Sequence, residues 1–165
     1  AVFSDAGEIE AWASLDKASE AFSKYLASML DLASWEREQR GVSTDACLFV
    51  EEVAIALRGW KPAAEITVGP PFSGVSGRSY KLDFLVDGKA VIATGAHPNS
   101  VSSVLHKLVD IHGLLLNADK QFLVIIDDRS DPEAAEKESK VVQSVASTMK
   151  FTDLESQAKR SAATH

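Results

Sequence analysis

From Ile9 to about Arg40, apolar residues recur at three- and four-residue intervals: Trp12, Leu15, Ala18, Phe22, Tyr25, Leu26, Met29 and Leu32. Nothing in this stretch punctuates a strand, so the spacing predicts one long helix or two. Ser43 or Thr44 stands where a cap would start a second helix at about Asp45, running through Leu57 and stopping at Gly59 before Pro62. Its run CLFVEEVAIAL is strongly apolar, which predicts that it packs on a sheet.

After Pro62 the period becomes strand-like. Residues 65–68 are short and β-branched, and GPPFSGVSG then reads as a turn or exposed loop. The runs SYKLDFLV and KAVIATGA, joined by Asp87-Gly88, predict a β-hairpin. The segment His97-Pro98-Asn99-Ser100 predicts the end of a strand and the cap of a helix over about Val101–Asn117. FLVIID, continuously apolar until its last residue, predicts a buried strand at Phe122–Asp127. Asp131-Pro132 opens a further helix to about Ser147, a short strand follows around Met149–Phe151, and the polar tail SQAKRSAATH is expected to fray.

The expected order is α, β, hairpin β-β, α, β, α, β: an α/β (α+β) fold with a mixed sheet flanked by helices. A helical segment at 1–60 and an α/β region at 61–165 are expected to form one compact unit, since 165 residues suit a single core.

Composition narrows the function classes. The chain is 45% hydrophobic and has no stretch apolar enough to cross a bilayer, so no membrane partner is expected. The first residues lack a secretory pattern and the single Cys47 has no disulfide partner, which points to the cytoplasm. Within its apolar run, Cys47 reads as a buried, inert thiol. Net charge is −7, and residues 1–60 carry the surplus, with 11 acids against 5 bases. A duplex-DNA binder normally presents a basic face, so weak or no nucleic-acid binding is expected.

The hairpin, crossover helix and buried strand resemble the core of the restriction-endonuclease-like superfamily, whose signature is PD-(D/E)XK. In that family an acid on the second core strand, and an acid and a lysine two apart on the third, hold a divalent metal and activate water. Asp83 in KLDFLV matches the first acid. The third strand reads VIATG, which places Ala93 and Gly95 where the acid and the lysine belong. An upstream helix acid that often joins such sites is matched by Glu51 or Glu52. The chain is also similar to a family of bacterial and prophage proteins with a Gly-x-Ser-Gly turn before an Asp-Phe strand, here Gly74-Val75-Ser76-Gly77 and Asp83-Phe84. That second likeness implies a phage-related setting and no particular activity.

Two functions follow as expectations. The favoured one is a catalytically silent nuclease-like domain, without cofactor or metal, that binds a protein partner in a phage-related, defence or counter-defence setting. The alternative is a magnesium-dependent nuclease with a rearranged site: Glu51 or Glu52, Asp83 and Asp127 converging, with Lys107 of the next helix replacing the lysine. Read blandly, Asp83 faces solvent across from Lys81 or Lys89, and Asp127-Asp128-Arg129 caps a helix or forms an ion pair. Gly74–Gly77 is followed by a strand, which excludes a phosphate loop or a nucleophile elbow and leaves a flexible turn. Ser76, Arg78, Lys81 and Lys89 are the candidates there for contact with a phosphate or a partner. His97, His106 and His112 have no shared helix face and read as structural or solvent-facing. The apolar residues of 8–40, Trp12 and Trp35 among them, are expected to pack on the domain or on a second copy of it.

Overall fold

The structure is a computed structural model that describes residues 2–3, 9–10, 14, 17–40 and 45–163, with side chains described for 14, 17–29 and 46–163. Two compact units result, Ala1–Gly41 and Val42–His165.

In the first unit, β1 (Val2–Phe3) pairs antiparallel with β2 (Ile9–Glu10), and α1 spans Ala18–Arg40. Ile9 is thus in a strand, paired with Phe3, instead of the first turn of the expected helix. On α1, Phe22, Leu26 and Met29 are exposed at helical spacing. The side chains of Trp12 and Trp35 lie outside the described residues.

The second unit runs α2 (Asp45–Trp60), β3 (Ile66–Val68), β4 (Pro71–Ser73), β5 (Ser79–Lys81), β6 (Phe84–Val86), β7 (Lys89–Gly95), α3 (Pro98–His112), β8 (Gln121–Asp127), α4 (Pro132–Val142), β9 (Ser147–Lys150) and α5 (Phe151–Ala163). Its main sheet has the order β3-β6-β7-β8-β9, antiparallel up to β7 and parallel from β7 to β9. This is an α/β fold with helices on both faces.

Side-chain alternation divides the core. Ala90 and Ile92 of β7, with Phe122, Val124 and Ile126 of β8, pack with Val101, Val104, Leu108 and Ile111 of α3 and Ala135 and Val142 of α4. Val91, Leu123 and Ile125 point the other way, onto Phe49, Val53 and Leu57 of α2 and Phe151 and Leu154 of α5. The β6–β7 turn holds Asp87 at φ 48° and Gly88 at φ 80°, as a two-residue hairpin with two left-handed residues requires.

Several expectations are corrected. The tail is the helix α5, because Phe151 and Leu154 bury one face and Ala158 fits against Gly59, where a Cβ would come within 3.1 Å. The GPPFSGVSG loop contains β4, which pairs with β5 as a separate two-stranded sheet. The run 79–86 is divided at Leu82-Asp83, where the chain passes from that small sheet into the main one. The helix after Pro98 ends at His112 and is followed by a 3-10 turn at Leu115–Asn117. Helix α4 ends at Val142, short of Ser147. Cys47 is exposed, because α2 is apolar on both sides and only the side with Phe49, Val53 and Leu57 faces the sheet.

Candidate functional site

Asp83 sits where β5 gives way to β6, and its carboxylate accepts the Ala93 backbone N–H at 2.8 Å. The β6–β7 ladder ends at the pair Phe84 and Val91, so this side chain takes the place of a missing strand bond. Burial raises the Asp83 pKa, while the Ala93 N–H and the nearby Lys107 of α3 favour the ionised form. Lys107 acts on Asp83 through its charge, and among the described residues no hydrogen bond or ion pair joins the two side chains.

The other acids assemble elsewhere. At the end of β8, Arg129 donates to Asp127 through Nε at 2.9 Å and Nη2 at 2.8 Å, and to Glu52 of α2 at 2.7 Å. Its guanidinium lies 4.6 Å from the Phe151 ring centre and 5.6 Å from that of Phe49. These bonds lower the Asp127 pKa and raise that of Arg129. Glu51 is exposed on α2. Asp128 is buried and accepts the Thr152 N–H at 3.1 Å and its hydroxyl at 2.6 Å, capping α5. Asp131 caps α4 through the Ala134 N–H.

Among the described residues, no three His, Cys, Asp or Glu side chains gather as metal ligands. The carboxylates fit arginine and backbone donors, and the set required by the resemblance for a divalent metal is not brought together. The histidines are apart: His97 Nδ1 accepts the Asn99 N–H at the start of α3, and His112 Nε2 lies 3.0 Å from the Val145 carbonyl.

The Gly-x-Ser-Gly segment, expected to be flexible, is fastened to α3. Asp110 accepts the Ser76 N–H at 2.9 Å, the Ser76 hydroxyl at 2.5 Å and the Tyr80 hydroxyl at 2.8 Å. In return, the Asp110 carbonyl accepts the Val75 N–H at 2.9 Å. A Cβ on Gly74 would collide with the Asp110 carboxylate, and Gly77 has φ +81°, so the two glycines serve close approach and a left-handed turn respectively. Asn117 adds a second brace by donating to the Ser73 and Ile111 carbonyls, each at 2.9 Å. Beside this braced tip, Leu115 and Leu116 are 89% and 84% exposed.

The basic candidates spread along the hairpin. Arg78 adjoins the tip and Lys81 is exposed at the end of β5, whereas Lys89 pairs with Val86 at the far end of β6. Lys81 belongs to the small two-stranded sheet and Lys89 to the main sheet. Asp110 and Asn117 had no signal of their own in the sequence, since their partners are 34 and 44 residues away.

These features define an α/β domain with a hairpin tip braced on α3 and no assembled metal centre among its described residues. Compared with protein-family models, curated proteins and solved structures, the chain matches none.

Proposed function

We propose that this protein works by binding a protein partner through a nuclease-like domain that lacks nuclease chemistry, in a phage-related, defence or counter-defence setting. One observation supports the first part: the Asp83 carboxylate accepts the Ala93 N–H and gathers with no set of further ligands among the described residues, while Glu52 and Asp127 are bound by Arg129. The Ala93 and Gly95 side chains offer neither ligand nor proton carrier. Two features support a protein partner. The acid surplus of the N-terminal third favours a basic protein surface over phosphate, and Leu115 and Leu116 present apolar area on a rigid support. The phage-related setting rests on the sequence resemblance alone.

The test is incubation of the purified chain with supercoiled plasmid and magnesium or manganese. No nicking is expected. A metal-dependent nick that disappears in Asp83→Ala at unchanged folding would overturn the reading. So would salt-dependent nanomolar binding of duplex DNA that is lost when Arg78, Lys81 and Lys89 are neutralised together.

A further inference from the structure

Helix α1 leaves its bulkier side open. Between Ala18 and Met29 the half-buried line is Ala21, Tyr25 and Ser28. Beside it Phe22, Leu26 and Met29 remain 62%, 45% and 42% exposed. Spacings of four and three residues keep these three side chains on one side of the helix, over about 10 Å of its axis. The same spacing forms the seam along which two helices interlock.

We propose that this stripe is a self-association surface, covered by the α1 helix of a second copy of the chain. The spacing calls for another helix, and two further observations select the same one. Ala1–Gly41 is a compact unit of a size, about 40 residues, that seldom sustains a core without a disulfide, a metal or a second chain, and the one cysteine, Cys47, lies outside it. From Ala18 to Met29 the helix carries one acid and one base, Glu20 and Lys24, which bind each other at 2.8 Å, so two copies meet there without net like charge. On α2 the exposed Leu48 and Ile55 instead share a face with Glu51, and a self-contact would set that acid against its own copy. In a two-fold pairing each α1 contributes the same three side chains, so both stripes leave water together. The contact uses no residue of the second unit, which makes it independent of the Asp83 and hairpin-tip readings.

The experiment is sedimentation equilibrium of the full chain over roughly micromolar to millimolar concentrations, beside Leu26→Glu, Phe22→Ser and Leu115→Glu. The native chain should pass from monomer to dimer mass. Leu26→Glu should raise the dissociation constant at least about tenfold by placing a charge where the two copies meet, and Leu115→Glu should leave it unchanged. Far-UV circular dichroism checks folding, and Phe22→Ser replaces Leu26→Glu if that one unfolds. A native chain that stays monomeric throughout would overturn the proposal. A dimer indifferent to Leu26→Glu and Phe22→Ser, or one weakened equally by Leu115→Glu, would do the same.

Discussion

The Ser76 hydroxyl donates to the Asp110 carboxylate at 2.5 Å, and this bond joins the tip of the β4–β5 hairpin to the last turn of α3. The hairpin belongs to a separate two-stranded sheet, held to the rest of the domain by Phe72 and Tyr80 packed on the α3-side core, by this latch and by the Asn117 brace.

The latch should make part of the stability acid-labile. The Ser76 hydroxyl, and with it the Ser76 N–H, the Tyr80 hydroxyl and Arg78, hold the Asp110 pKa below its ordinary value. A lowered folded pKa means that the contribution is complete above the unfolded carboxylate pKa and is lost as pH falls through the folded value. Urea midpoints measured from neutrality into the acid range should therefore fall less steeply in Asp110→Asn than in the native chain. Amide exchange at Val75 and Ser76 should quicken in Asp110→Ala while the β7–β8 ladder stays protected.

Asp83 has the opposite sign. Its folded pKa is raised, first by burial, so its contribution is complete below the unfolded pKa and is lost as pH rises through the folded value. Asp83→Asn keeps an oxygen for the Ala93 N–H and removes the charge. It should match the native chain at low pH and equal or exceed its stability at neutrality. Asp83→Ala leaves that N–H without its partner and should cost about 1–3 kcal/mol in urea unfolding.

Arg129 ties β8 to α2 through Asp127 and Glu52 and covers the rings of Phe49 and Phe151. These side chains are 20% to 46% exposed, so solvent screening keeps the ionic part small. Arg129→Met should cost about 1–2 kcal/mol, with the loss reduced in high salt. Arg129→Lys should recover little of it, because an ammonium lacks the planar fork that bridges two carboxylates and stacks on rings.

The C-terminal helix should be indispensable. Leu154 is fully buried against α2 and the sheet, and Leu154→Ala should cost about 2–5 kcal/mol in denaturant unfolding. A chain ending at Lys150 would uncover that face and leave buried Asp128 without Thr152, so it should lose cooperative thermal unfolding.

Much of the fold was legible in local pattern. The Asp87-Gly88 turn followed from a rule about two residues, the strand at Phe122–Asp127 from a continuous apolar run, and the Pro132 helix start from its cap, whereas α3 starts at Pro98, three residues before the expected Val101, with His97 as its cap. Helix α5 failed to announce itself because its buried positions, Phe151 and Leu154, and the half-buried Ala158 are few and lie among polar neighbours. Its helical form becomes favourable through the face it shares with α2.

By itself, the sequence determined which segments alternate as strands or recur as helices, that its acid is concentrated early, and that the expected third-strand positions hold Ala93 and Gly95. Only the tertiary structure decided what each carboxylate does. Asp83 went to a backbone N–H, Asp110 to Ser76 and Tyr80, Asp127 and Glu52 to Arg129, and Asp128 to Thr152. A carboxylate's role is set by the donors brought within about 3 Å of it. Most of those donors are ten to seventy-seven residues away along the chain, and only chain folding brings them there.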